Sequence, residues 1–168
     1  MKTTVVYIAL GSNVGDSPSI LRRAMDQLEK LSVEPLVRSS LWQTTPVDCP
    51  PGSPTFVNAV VALSPALGEN SWSLLTKLLA METEFGRRPK KVLNEPRRLD
   101  LDMITFGNET SARPELILPH PRAHERRFVL QPLNEIAPDF YLPGHRRSVS
   151  QLLAALVSKE ITVKLSGV

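Results

Sequence analysis

The chain has 168 residues, 42% hydrophobic and 22% charged, with a formal net charge of +3. That suits one domain with its own core over residues 1–168 and argues against disorder or a fibrous design. A lone cysteine, Cys49, excludes an internal disulfide and has no zinc-ligand spacing around it, no apolar run approaches the roughly 18 residues of a membrane span, and residues 1–10 are too short and weakly basic for a signal peptide; a cytoplasmic protein is expected.

Residues 3–10 are β-branched and apolar without a polar face, which predicts a strand covered on both sides. It runs into a turn at Gly11-Ser12-Asn13. Ser17 is placed to cap a helix with Pro18 at its first position, and Leu21, Ala24, Met25, Leu28 and Leu31 follow at helical spacing. Beyond Pro35 a second strand is expected over residues 36–44, and a loop holding Pro46, Pro50, Pro51 and Pro54 leads to a third over residues 55–63. Residues 70–86 read as a second helix with Leu75, Leu78, Leu79, Glu82 and Phe85 on one stripe, where the acid is out of place. Pro89 and Pro96 keep the basic segment between them from continuing that helix, and a fourth strand is expected over residues 99–106.

The order βαββαβ predicts an α+β fold of the ferredoxin-like kind, an antiparallel sheet with both helices packed on one face. A C-terminal helical extension follows, with one helix over residues 128–136 and another over residues 149–157 that Ser148 and Gln151 would open as a capping box.

The chemistry gathers around residues 87–102. Arg87, Arg88, Lys90, Lys91, Arg97 and Arg98 stand against the single acid Glu95, a segment suited to a polyanion. Asp100 and Asp102 lie in the fourth strand, whose two-residue period points both carboxylates to one side. Two acids that close repel unless cations intervene, and Mg²⁺ prefers carboxylate, water and phosphate oxygens. A solvated strand face would show the same pair. Arginines immediately before it shift the reading, because phosphoryl transfer wants metal and guanidinium together. No Walker A or Gly-rich dinucleotide motif is present, so phosphates have to be held by side chains and metal.

Glu82 is either an acceptor for a ribose or base or an acid reaching sideways to water. His120, between Pro119 and Pro121, projects from a restrained loop and is either a donor to phosphate or, as loop histidines more often are, incidental, while His124 and His145 carry no assigned role. Phe56, and Phe128 next to Arg126 and Arg127, offer two faces for a flat heterocycle or are plain core.

Five ordered motifs then carry a resemblance. They are Ile8-Ala9-Leu10-Gly11-Ser12-Asn13, Thr55-Phe56-Val57-Asn58-Ala59, Pro96-Arg97-Arg98-Leu99-Asp100-Leu101-Asp102, Leu118-Pro119-His120-Pro121, and Arg126-Arg127-Phe128-Val129-Leu130 with Pro132-Leu133 and Glu135-Ile136-Ala137-Pro138 behind it. In this order the chain resembles the hydroxymethyl-dihydropterin pyrophosphokinases from residue 7 to about residue 156. The resemblance implies a ferredoxin-like enzyme of folate biosynthesis that moves pyrophosphate from ATP to 6-hydroxymethyl-7,8-dihydropterin, with AMP leaving. It further implies two Mg²⁺ ions held by Asp100 and Asp102, and a pterin pocket of Thr44, Thr45, Val47 and Asn58, with the ring between Phe56 and Phe128 and its hydroxymethyl group touching Asp100. The implied ATP site is Glu82, Arg87, Arg97, Met103, His120 and Arg126, with Arg87 and Arg97 complementing charge on the migrating group. Many members carry Trp-Gly where this chain has Asn94 and Glu95, a basic residue where it has Pro89, and an aromatic where it has Pro121.

A metal-dependent nucleotidyltransferase would use the same acid pair but release pyrophosphate. An RNA-binding ferredoxin-like module would interleave aromatic with basic residues on its sheet face, and these strands do not. The expected partners are therefore small-molecule substrates, with no nucleic acid and no membrane, and the expected state is a monomer.

Overall fold

The structure, a computed structural model, describes residues 3–45, 55–86 and 98–165. Its first strand, β1 (Val6–Ser12), starts later than the sequence predicts and continues through the expected turn. Gly11 and Ser12 remain in the ladder because β1 is central. It pairs antiparallel with β4 (Phe56–Leu63) on one side and with β5 (Asp100–Phe106) on the other. The helix that follows, α1 (Ser17–Glu29), is capped by Asp16, whose carboxylate accepts the Ser19 N–H at 3.3 Å. Ser17 is the helix's first residue rather than its cap, because its hydroxyl turns inward to accept a 2.9 Å hydrogen bond from Ser12. Ile20, Leu21, Ala24, Met25 and Leu28 form the buried stripe that the spacing predicts.

The expected strand at 36–44 is broken into β2 (Val37–Arg38) and β3 (Trp42–Thr44), both paired with β4. Arg38 faces Val61 while Trp42 faces Asn58, so the outer chain carries one extra residue, a bulge. Ser39 covers the interruption by donating its N–H to the Val60 carbonyl and accepting the Val60 N–H on Oγ, both at 2.9 Å. The second helix, α2 (Ser71–Glu84), starts at Asn70 in a capping box with Ser73, and Gly86 at φ 95° ends its last turn.

Beyond β5 come a hairpin of β6 (Ser111–Arg113) and β7 (Leu116–Leu118), a short 3-10 turn at Ala123–Glu125, α3 (Arg127–Ile136), α4 (Val149–Ala155) and β8 (Thr162–Lys164). The Ser148–Gln151 capping box forms as the sequence predicts. The hairpin and β8 were not anticipated. Their strands are only three residues long, too short for a period to declare itself.

The main sheet runs β5-β1-β4-β3-β8 with β2 also on β4, and every pairing is antiparallel. Side chains alternate across it. Val6, Ile8 and Leu10 join Leu21, Leu28, Leu74 and Leu78 beneath α1 and α2. Tyr7 and Ala9 turn the other way, toward Val60, Ile104, Leu130, Leu133 and Val149 beneath α3 and α4. The chain is thus α+β with four α-helices among the described residues, α1 and α2 on one face and the C-terminal helices on the other. Among the described residues no helix is long and apolar enough to cross a membrane.

Candidate active site

The alternation that fills the two cores also decides which side chains share the face beneath α3. On β4, Val60 belongs to that face, so Asn58 and Phe56, two and four residues before it, lie on it too. On β5, Ile104 fixes the same parity for Asp102 and Asp100. Register then sets the rows. Trp42, Asn58, Gly11 and Asp100 stand opposite one another across four strands, and Val60, Ala9 and Asp102 form the next row.

Gly11 is the gap in the first row. A Cβ there would come within 2.9 Å of Asn58 Nδ2, closer than real Cβ atoms approach, so this strand position is held open by the absence of a side chain. Ala9 continues the small-residue lane. Asn58 is 6% exposed, and its Oδ1 has no hydrogen-bond partner among the described residues. Among the described residues its Nδ2 reaches only the Leu10 carbonyl, at 3.5 Å. Thr44 is 2% exposed with Oγ1 likewise unpartnered among the described residues, on the same β3–β4 pair, opposite Phe56. A buried polar atom left unpaired costs about 1–3 kcal/mol, so two of them on one β3–β4 pair are candidates for bonds to a ligand.

At the β5 end the charges converge. His120 follows the cis Leu118–Pro119 bond and anchors its N–H on the Ile104 carbonyl at 2.8 Å. Its Nδ1 accepts the Arg122 N–H at 3.2 Å, which leaves the proton of the neutral ring on Nε2 as a free donor. Burial, together with the nearby Arg126 and Arg122 cations, pulls its pKa down to about 4 against the opposing pull of Asp100. Burial and Arg122 also lower the pKa of the Arg126 guanidinium, while Asp102, Glu160 and Asp100 oppose the shift. Asp100 is thus within electrostatic reach of both His120 and Arg126, and Asp102 within reach of Arg126. Arg126 also lies over the Phe128 ring, 5.4 Å from its centroid, at the start of α3.

Two carboxylates on one face, with cations across from them, are hard oxygen donors of the kind Mg²⁺ takes when phosphate and water complete its shell. Among the described residues no group of three or more His, Cys, Asp or Glu forms an all-protein cage. A pair suffices for a cation that arrives with a triphosphate.

Other expected residues fall elsewhere. Glu82 is 2% exposed in the seam between α2 and β5, where it accepts the Leu101 N–H at 2.7 Å, so it does not reach sideways to water. Met103 is buried in the core beneath α1 and α2, on the opposite face from Asp100 and Asp102. Thr45 donates its N–H to the Ile161 carbonyl at 3.0 Å. Val47, Arg87 and Arg97 lie outside the described residues.

Sequence reasoning missed Gly11 as part of the floor, Trp42 beside Asn58, and Glu135. The signal for Gly11 was the run Ile8-Ala9-Leu10-Gly11, in which large residues alternate with small ones. Glu135 on α3 accepts the Ser40 N–H at 2.7 Å, the Ser40 hydroxyl at 2.6 Å and the Trp42 Nε1–H at 3.3 Å, and pairs with Lys164 at 3.3 Å. Burial alone would raise its pKa, and these donors outweigh that and lower it.

A family model described as 7,8-dihydro-6-hydroxymethylpterin-pyrophosphokinase (HPPK) matches residues 7–138, which include every residue of the two rows and of the charged cluster. The chain belongs to this family. Among curated HPPK relatives, the 2-amino-4-hydroxy-6-hydroxymethyldihydropteridine pyrophosphokinase of Pseudomonas aeruginosa is 40% identical over 89% of this chain and 90% of its own length. The Bacillus subtilis enzyme of the same name is 39% identical over 79% and 77%. Among solved structures, a Plasmodium falciparum HPPK-DHPS triple mutant with pteroate superposes with a TM-score of 0.67 at 12% identity, covering 91% of this chain. An HPPK-DHPS in complex with substrates gives 0.69 at 11% identity and 92% coverage. The chain spans 43% of the length of each of those two, and at such identity the likeness is one of fold.

Proposed function

We infer that this chain transfers a pyrophosphoryl group from ATP to 6-hydroxymethyl-7,8-dihydropterin, producing the pterin diphosphate and AMP in folate biosynthesis. Family membership and the named relatives carry the reaction. The observation that ties it to particular residues is the row Asn58–Gly11–Asp100. Two strand spacings of about 4.8 Å separate its ends by about 10 Å, the scale of a bicyclic pterin with its hydroxymethyl arm.

In this reading the pterin lies over Gly11. Asn58 pairs with its amide-like edge, Thr44, Thr45 and Val47 line the same end, and Phe56 and Phe128 cover the ring. The hydroxymethyl oxygen then points to Asp100. His120 donates Nε2–H to a phosphate oxygen, and Arg126, Arg87 and Arg97 complement the remaining phosphate charge. Met103 meets adenine through its backbone, since its side chain is committed to the core. Glu82 acts at one remove, fixing the Leu101 N–H between the two aspartates. Two Mg²⁺ ions held by Asp100 and Asp102 would neutralise bridging phosphate oxygens and ease ionisation of the pterin hydroxyl.

The bond made is from the hydroxymethyl oxygen to the β-phosphorus, and the bond broken joins the β-phosphorus to the oxygen that departs with AMP. The protein supplies alignment and charge. We assign residues 1–168 to one domain of ferredoxin-like topology, supported by the β5-β1-β4-β3 order with α1 and α2 on one face and by two apolar clusters that share one sheet. Incubating the protein with Mg-ATP and the reduced hydroxymethylpterin and separating the nucleotides tests the reaction. AMP is expected, ADP would indicate γ-transfer, and free pyrophosphate would indicate a nucleotidyltransferase.

A further inference from the structure

The helix that carries Phe128 has no cap of its own. Arg126 occupies the N-cap position of α3 with extended backbone and no side-chain cap hydrogen bond. The first N–H groups of a helix need acceptors, and a carboxylate is the most favourable, because it also meets the positive end of the helix dipole. Here the acceptor comes from 32 residues downstream. Glu160 takes the Arg127 N–H on Oε1 at 3.2 Å and the Phe128 N–H on Oε2 at 3.3 Å. Ser158 fixes that carboxylate, donating its hydroxyl to Oε1 at 3.3 Å while accepting the Glu160 N–H at 3.1 Å. Glu160 also contributes to the field on Arg126.

The same segment reaches the opposite wall. One residue on, the Ile161 carbonyl accepts the Thr45 N–H at 3.0 Å, and β8 then pairs with β3, Thr162 facing Thr44. A strap of residues 158–164 therefore joins the start of α3, with Arg126 and Phe128, to the end of β3, with Thr44 and Thr45. The matched family region ends at residue 138, short of this strap.

We propose that Glu160 is a positioning residue for pterin binding, clamping the first turn of α3 so that the Phe128 ring stands at a fixed distance from the β3–β4 wall. This rests on the pterin pocket proposed above. Glu160 touches no reacting atom; the nucleotide contacts at Asp100, Asp102 and His120 belong to other elements, and Arg126 stands just before the two amides that Glu160 holds. Its loss should therefore fall chiefly on the pterin, with a smaller effect on the nucleotide through Arg126.

The test is binding of the reduced hydroxymethylpterin, followed by its own fluorescence, beside binding of a non-hydrolysable ATP analogue, for wild type, Glu160→Ala, Glu160→Gln and Ser158→Ala. Losing a charged cap should weaken pterin binding about tenfold in Glu160→Ala and about threefold in Glu160→Gln, with analogue binding within about twofold of wild type. Hydrogen exchange at the Arg127 and Phe128 amides should quicken in parallel. If Glu160→Ala does not fold, Ser158→Ala carries the test, with a smaller loss that falls chiefly on the pterin. Unchanged pterin affinity, or equal losses for both ligands in folded variants, would overturn the clamp. A wild-type protein that binds no pterin would instead defeat the pocket itself.

Discussion

Replacing Gly11 by Ala probes the floor of the proposed pocket with a single methyl group. The new Cβ would sit 2.9 Å from Asn58 Nδ2, so one of the two must move by several tenths of an ångström. The backbone of β1 is held on both sides by β4 and β5, which leaves the Asn58 amide to give way. Among the described residues that amide has only a marginal 3.5 Å bond to the Leu10 carbonyl to resist displacement. Folding should suffer little, since Ala is the better strand residue by about 0.5–1 kcal/mol and offsets part of the crowding. Pterin recognition should suffer more. Misaligning the Asn58 amide forfeits one or two hydrogen bonds of about 0.5–1.5 kcal/mol each, a loss of about two- to 150-fold in pterin affinity. Titration calorimetry with the pterin and, separately, with an ATP analogue reads the split. Pterin affinity unchanged, or lost in equal measure with ATP affinity, would refute the placement of the ring over Gly11.

The remaining expectations concern the other groups of the site. Asp100→Asn and Asp102→Asn should each lower turnover by about 10²–10³-fold with an unchanged circular dichroism spectrum, because the amide keeps the shape but loses the charge that Mg²⁺ and the phosphates balance; near-normal rates would remove both from the centre. Phe56→Ala and Phe128→Ala should weaken pterin binding about tenfold while sparing ATP, through lost stacking area, and calorimetry would show equal losses if the rings were only core. His120 has a folded pKa of about 4 against an ordinary 6.5, so the unfolded chain binds the extra proton between those values. Its contribution to stability is complete above pH 6.5 and is lost as pH falls toward 4. Urea melts across that window should show a shallower acid loss for His120→Gln than for wild type, and parallel curves would contradict the buried neutral ring.

The sequence exposed the features that repeat. The stripe of α1 is periodic over enough residues to be read, β4 stands out as a mostly apolar run, and the parity of Asp100 and Asp102 followed from the strand period alone. Non-local choices stayed hidden. Ser17 looked like a cap, but Ser12 claims its hydroxyl. Gly11 looked like a turn, although partners on both sides keep it in the sheet. Residues 36–44 carried no local mark of a bulge, because its partners are distant: Ser39 bonds to Val60 and Ser40 to Glu135 on a helix 95 residues later. Asn58 and Thr44 could be named from resemblance, yet their unpaired oxygens emerge only when the strands are side by side.

The most direct test of the reaction follows one oxygen atom. The hydroxymethylpterin is prepared with ¹⁸O in its hydroxyl group, turned over with Mg-ATP, and examined by phosphorus NMR. Attack by that hydroxyl on the β-phosphorus predicts that the label appears in the bridge between the pterin carbon and the first phosphorus of a diphosphate, with unlabelled AMP formed one for one. A pterin monophosphate with ADP, an adenylylated pterin with free pyrophosphate, or label released to water would contradict the account.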